Sequence, residues 1–413
     1  MRILHTSDWH LGRGFHGAPL REEQSQMLAT VCAEAAEHSA DVVLVSGDVY
    51  DRALPPEWAV KQLEDCLLQL VQAGVQVIIT SGNHDSAQRL GFGRGLMAAS
   101  GVHIRSSLQD AWDPVELDDD DGGTVLVYGI PYLEPQLYAG ALELERANHT
   151  AVITEVTRRI REHAEARTAE LAGPVRTVLM AHLFAAHGIA SESERSIGAA
   201  ATPEQPLEHH EETLGGLAVV PLEVFSGFDY VALGHLHGRQ RLSPRVRYSG
   251  APLRYSFSEE NQAKGAWLVE TSRLAEDPDA AIAALDWRIG RPVKRLRGPL
   301  SQMLDPAVIE QWTEAFVQIT LTDDERPERA YPRLREVYPH LMSYSYAGAA
   351  ATGTHATYSQ KLREAESEYD VVSGFLTHVR HRAPSEEETL ILQQALEDVR
   401  SAEHQPPPRE GGA

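Results

Sequence analysis

The sequence predicts an α/β fold, and three observations predict it. Short apolar strands rich in β-branched residues recur through the first 285 positions, each runs into a loop carrying Asp, His or Asn, and amphipathic helices fall between them. Polar residues just past the carboxyl end of a buried strand are where open α/β sheets bind ligands. With 413 residues there is room for two or three domains, and 42% hydrophobic content is enough to bury a sizeable core.

Met1 to Thr6 is the first strand and runs into Ser7-Asp8-Trp9-His10. Leu28, Val31, Cys32 and Ala35 then recur three and four apart, the stripe of a helix that faces a core. Asp41 to Val45 is the next strand and delivers Ser46-Gly47-Asp48-Val49-Tyr50-Asp51; Leu63, Leu67 and Leu70 mark a second helix. Val75 to Thr80, a β-branched run between Gly74 and Gly82, delivers Ser81-Gly82-Asn83-His84-Asp85. The acidic turn Asp118 to Asp121 reads as a solvated loop rather than a cation site, and Thr124 to Ile130 after it as a strand. A long charged helix is expected over about residues 141 to 171. Thr177 to Met180 leads to Ala181-His182, and Tyr230 to Leu233 leads to Gly234-His235-Leu236-His237. Between these, residues 185 to 216 lack periodicity and read as a mobile surface loop whose His209-His210 pair is solvated. Residues 246 to 258 and 264 to 270 are expected to be the closing strands of a first domain spanning 1–285.

Beyond it the pattern changes. Residues 287 to 297 hold Arg288, Arg291, Lys294, Arg295 and Arg297 without an acid among them. Arg295 and Arg297 are the best local candidates for phosphate contact; a solvated inter-domain strand explains the charge almost as well. A strand at Phe316 to Leu321, a helix over about 326 to 337 and a strand around 341 to 346 make a small α+β domain, 286–346. A linker (347–361) leads to two helices (362–402), the first striped by Val371, Val372, Phe375, Leu376 and Val379. The second opens on the capping-box signature Ser385-Glu386-Glu387-Glu388, and 403–413 is a disordered tail. Two short helices bury little between themselves, so their apolar faces are expected to dock on the body of the protein or on a partner.

Composition excludes several classes. Cys32 and Cys66 are the two cysteines, each inside a helical pattern, so neither a disulfide framework nor a zinc-thiolate site is available. A formal net charge of -23 argues against coating nucleic acid by general electrostatics, so any contact with it needs local basic patches, divalent metals or a partner. With no apolar run of membrane-spanning length and no signal-like N-terminal stretch, a soluble, cytoplasmic protein is expected.

Asp8, His10, Asp48, Asn83, His182, His235 and His237 lie at five strand ends. Singly each is weak, since a lone loop histidine is usually solvated and a lone Asp usually forms a turn. Together, Asp-x-His, Gly-Asp-x-x-Asp, Gly-Asn-His-Asp and Gly-His-x-His appear in order, each after an apolar strand. Mixed oxygen and nitrogen donors without thiolate suit Mn²⁺, Fe²⁺ or Zn²⁺ better than Ca²⁺, and seven exceed the needs of one tetrahedral ion. A carboxylate bridging two ions would bring them to about 3.5–4 Å, the separation of two-metal hydrolases. The imidazole of His84, next to the amide of Asn83, then faces substrate. Asp51 or Asp85 can fix its tautomer, although loop-closing hydrogen bonds to backbone amides are the better reading for both.

These motifs resemble the calcineurin-like metallophosphoesterase superfamily. With Tyr248-Ser249-Gly250-Ala251-Pro252 and Ser256-Phe257, they are most similar to its SbcD-type branch of bacterial DNA-repair nucleases. That resemblance implies a four-layer α/β/β/α sandwich, a small capping domain and a C-terminal helical pair that binds the coiled coil of an ATPase subunit, SbcC. It implies two Mn²⁺ per chain, with Mg²⁺ or another divalent ion possible. One would be held by Asp8, His10, Asp48 and His237, the other by Asp48, Asn83, His182 and His235, with His84 as the catalytic histidine. The implied activity is 3′ to 5′ exonuclease and endonuclease cleavage of duplex DNA ends and hairpins by a homodimer joined to SbcC. The chain has no Gly-x-x-x-x-Gly-Lys-Ser/Thr loop, so ATP dependence would come from the partner. A phosphomonoesterase or cyclic-nucleotide phosphodiesterase on the same fold is the alternative.

Overall fold

The structure is a computed structural model that describes residues 1–187, 189, 213–214, 217–347, 367–380 and 383–403. The expected loop over 185–216 with His209 and His210, the 347–361 linker and the 403–413 tail fall wholly or largely outside them. The chain divides into two compact units, Met1–Lys294 and Arg295–Ala413.

The first unit is built on two six-stranded sheets. In one, the strands Arg2–Thr6, Val42–Ser46, Gln76–Thr80 and Val102–Arg105 run parallel, with Gly265–Glu270 and Ile282–Asp286 antiparallel at one edge. In the other, Thr124–Gly129, Val175–His182, Tyr230–Gly234 and Val246–Tyr248 run parallel between antiparallel edges, Val115–Asp118 and Gln240–Arg241. Their inner faces meet through Ile3, Val42, Leu44 and Ile78 on one side and Val125, Val127, Val178 and Met180 on the other. The residues between, Leu126, Tyr128 and Leu179, point the opposite way and pack on Val152, Ile153, Val156 and Ile160 of the helix His149–Glu170. This is the two-residue period of a strand buried on both faces. On the first sheet's side, the helices Arg21–Glu37 and Glu57–Gln72 pack together, with Cys32 Sγ 3.6 Å from Cys66 Sγ. The layers are therefore helix, sheet, sheet, helix, as expected. Each fully buried aliphatic side chain in them contributes about 1.5–3 kcal/mol relative to exposure.

Three sequence expectations are corrected. The charged helix begins at His149, not near 141, because Asn148 caps it, its Oδ1 accepting the amide of Ala151 at 2.7 Å. The run 246–258 is a strand only over Val246–Tyr248, since Gly250 turns left-handed at φ 73°. A Cβ on Gly250 would lie 2.6 Å from the Arg239 amide nitrogen and 2.7 Å from the His237 carbonyl oxygen, so the turn needs glycine. Within the acidic turn, Asp119 is buried and accepts from Thr271 Oγ1 at 2.9 Å and Arg176 Nη1 at 2.8 Å. The hairpin that follows Asp118 carries its carboxylate under Thr271, a placement charge counting does not reveal.

In the second unit, Phe316–Leu321 and Leu341–Tyr346 pair in parallel, beside the strand Val293–Gly298 that enters the unit. Leu296, Leu300, Val317, Ile319, Leu334 and Tyr338 form its core. The helix Ala330–Val337 starts later than expected, after Arg329 at φ 52°. The helices Glu368–Arg380 and Glu386–Glu403 pack on each other, and Tyr369 Oη donates to Thr389 Oγ1 at 3.2 Å. The capping box forms: Ser385 N donates to Glu388 Oε2 at 2.9 Å and Glu388 N to Ser385 Oγ at 3.3 Å. Among the described residues, no helix is long and apolar enough to cross a membrane.

Candidate metal centre

The parallel strands of both sheets end at one edge of the first unit. Ser46 pairs in register with Thr80, and His182 with Gly234; Ser46 Oγ crosses between the sheets to the Ala232 carbonyl at 2.9 Å. The loops beyond them are tied together by backbone, Asp8 N to Gly47 O at 3.1 Å and His10 N to Asp48 O at 2.9 Å. Asp8, His10, Asp48 and His235 all take positive φ, at 53°, 44°, 51° and 105°. Non-glycine residues hold such conformations only where their surroundings impose them, and such strain clusters at functional sites. A Cβ on Gly82 would run into the Asp48 carboxylate, and one on Gly47 into the His182 ring.

The seven expected donors come together. His10 Nε2 faces His237 Nε2 at 3.2 Å, and Asp48 Oδ2 lies 3.2 Å from His182 Nε2 and 3.7 Å from His10 Nε2. Asn83 Oδ1 is 3.0 Å from His182 Nε2 and 3.2 Å from His235 Nδ1. The Asp8 carboxylate accepts the His235 amide at 3.1 Å and a hydrogen bond from Ser7 Oγ. Ligand atoms of Asp8, His10 and His237, of His10, Asp48 and His84, and of Asp8, Asp48 and His182 fall into groups within 4.8 Å. Asp8, His10, Asp48, His182 and His237 are buried, so lone pairs of imidazole, carboxylate and amide converge away from water. That donor set fits divalent cations of intermediate softness.

Charge is already apportioned across the cluster. Burial pulls the His182 imidazole down, but the Asp48 carboxylate beside it prevails and raises it to about 9. Burial pushes Asp48 up, yet His182 holds it well below the usual carboxylate range. Burial raises Asp8 to about 6 and, with the positive His182 close by, drives His235 down to about 3. Cations placed here stand where protons otherwise stabilise the carboxylates.

His84 sits at the rim, its ring edge-on to His10 with centroids 4.8 Å apart. Its amide donates to Asp48 Oδ1 at 2.9 Å and its Nδ1 lies 2.8 Å from the Asp51 carbonyl oxygen. Thus the backbone of Asp51 steadies His84, while the Asp51 carboxylate lies 3.7 Å from Arg13 Nη1. Asp85 closes the loops by accepting the amides of Val49 at 3.1 Å, Tyr50 at 2.9 Å and Gly82 at 2.9 Å. Arg295 and Arg297 lie exposed on the strand Val293–Gly298, on either side of buried Leu296.

A model of the calcineurin-like phosphoesterase family matches residues 1–239. The chain belongs to that family. The fold read from its motifs is the family's fold, and this phosphoesterase is a hydrolase whose fold implies divalent metals. A second model, described as a type 5 capsule protein repressor C-terminal domain and labelled SbcD_C, matches residues 290–380. The phosphoesterase is 27% identical over 349 residues to the SbcD subunit of the nuclease SbcCD of Staphylococcus epidermidis, covering 84% of this chain and 85% of that protein. The resemblance to SbcD-type proteins read from the motifs is thereby borne out. Among solved structures it is similar to a dimetal phosphatase from Danio rerio, at 13% identity over 65% of this chain and 92% of that one, with a TM-score of 0.37.

Sequence reading missed Glu259 and Lys264. Both are buried, paired at 2.6 Å, and Glu259 Oε1 lies 3.0 Å from His237 Nδ1. Ser258-Glu259-Glu260-Asn261-Gln262 looks like a solvated turn. The available signal was that a ligating histidine normally gives its other ring nitrogen a carboxylate or carbonyl.

Proposed function

We propose that this phosphoesterase is a Mn²⁺-dependent DNA nuclease, a 3′ to 5′ exonuclease and endonuclease on duplex ends and hairpins, working as a homodimer with an SbcC-type ATPase. The observation that carries the reading is the central place of Asp48. One oxygen faces both His182 and His10, while the other accepts the amide of the proposed catalytic histidine. In this reading Asp8, His10, Asp48 and His237 hold one ion, and Asp48, Asn83, His182 and His235 the other. Support for DNA as substrate and for the ATPase partner comes from the bacterial relative, a nuclease subunit by name, and from the second family model.

A pair of divalent ions supplies Lewis-acid polarisation of a phosphoryl group and activation of water at neutral pH. The chain's own residues do the rest. Asp51 O accepts from His84 Nδ1 and so directs the other edge of the ring outward, where its Nε2 holds or gives a proton at a leaving oxygen. Asp85 fixes the loop that presents His84, tying the Asn83 turn to Val49 and Tyr50. Arg295 and Arg297 contact phosphate.

The test is digestion of end-labelled duplex DNA by the purified full chain with Mn²⁺, with and without an SbcC-type ATPase and ATP. Cleavage that requires Mn²⁺ and is lost in Asp48→Asn supports the reading. Rapid hydrolysis of a small phosphomonoester with intact DNA overturns it.

A further inference from the structure

Of the histidines gathered at the strand ends, His237 alone has a carboxylate within hydrogen-bonding distance of its outer ring nitrogen among the described residues. His182 Nδ1 lies against the Ser46 carbonyl at 2.9 Å and His84 Nδ1 against the Asp51 carbonyl at 2.8 Å. His10 Nδ1 is buried without a hydrogen-bond acceptor, the Asp51 carboxylate being 3.9 Å away. His237 Nδ1 instead meets Glu259 Oε1 at 3.0 Å, and Glu259 is fully buried.

A buried carboxylate is costly unless it is paired and hydrogen-bonded. Here Lys264 Nζ, itself buried, donates to Glu259 Oε2 at 2.6 Å, to the His237 carbonyl at 2.9 Å and to Gln262 Oε1 at 2.9 Å. The Tyr255 amide donates to the same carboxylate at 3.3 Å. The lysine therefore grips His237 twice, through its backbone and, by way of Glu259, through its ring. The left-handed turn at Gly250 brings Ala251 N to the same His237 carbonyl at 3.1 Å.

We propose that Glu259, with Lys264 as its counter-charge, is a positioning residue. It fixes the proton of His237 on Nδ1 and aims Nε2 at His10 Nε2, 3.2 Å away. The proposal rests on the reading of the strand-end cluster as a metal centre. A carboxylate behind a ligating imidazole raises its basicity and locks its ring plane, so Glu259 and Lys264 tune the ion beside Asp8 and His10 without touching it. A fully buried ion pair is weak as a stabilising device, and a positioning role accounts for its place directly behind one donor.

Two readouts on the full chain test this. Long-range ¹H–¹⁵N NMR of the metal-free protein reports the tautomer of His237, and Mn²⁺ titration by calorimetry reports affinity and stoichiometry. In wild type the Nδ1–H tautomer is expected. In Glu259→Gln it is expected to be lost and Mn²⁺ to bind about 10- to 100-fold more weakly. Should that variant fail to fold, Glu259→Gln/Lys264→Met leaves no buried charge unpaired. It is expected to recover thermal stability while keeping the weakened Mn²⁺ binding. Wild-type Mn²⁺ affinity in a folded Glu259 variant, or an Nε2–H tautomer in wild type, would sink the proposal. Absence of Mn²⁺ binding by wild type would instead overturn the metal-centre reading, which the tautomer measurement keeps distinct.

Discussion

The strand-end cluster and the C-terminal helical pair bury opposite kinds of group. In the cluster, charged and polar side chains are buried, braced by one another's backbone and held at positive φ. In the helical pair, Phe375, Leu390 and Ile391 remain 50%, 66% and 64% exposed, although the capping box and helix-to-helix packing are in place. A site that stores strain and desolvated charge is finished by small ions. A pair of short helices with an apolar surface is finished by a macromolecular surface, because contiguous exposed apolar side chains mark interaction sites.

Four experiments put that contrast at risk. The largest effect is expected at the cluster, where His84→Ala should lower Mn²⁺-dependent cleavage by about 10²- to 10⁴-fold. Calorimetry should show Mn²⁺ still bound, and unchanged turnover would refute the assigned role. Removing residues 362–413 should abolish co-purification with an SbcC-type ATPase yet leave Mn²⁺-dependent cleavage by the remaining chain; retained association would place the contact elsewhere. Asp85→Ala removes the acceptor of three amides and should lower the unfolding free energy by about 2–4 kcal/mol, read from urea denaturation. A cost under about 0.5 kcal/mol would show that water replaces that carboxylate. The smallest effect is expected from Arg295→Ala/Arg297→Ala: weaker DNA binding, with the slope of log affinity against log salt reduced by up to about 2. An unchanged slope would make the strand's charge a matter of solvation.

The strands and donor loops were legible because both signals are local. A β-branched run of five residues is a buried strand wherever it lies, and Asp8-x-His10 or His235-x-His237 after such a run is a spacing visible in the chain. The start of the charged helix was legible only through its cap, since residues 141–148 are no less polar than the helical residues after Asn148. Asp119, Glu259 and Lys264 were hidden for one reason. Each sits in a stretch whose composition is that of solvated turns, and each is buried by residues far away in sequence, Thr271 over Asp119 and His237 beside Glu259.

Residue type and short spacing were enough to specify the period of every principal strand and the identities of the donors, because side-chain alternation and metal-binding chemistry are local properties of the chain. Three features instead required the folded molecule: that Asn83 faces His182 and His235, that the backbone of Asp51 and not its carboxylate steadies His84, and that a glutamate–lysine pair stands behind His237. These depend on where two sheets and their loops end against each other, and that register is set by the packing of distant apolar faces.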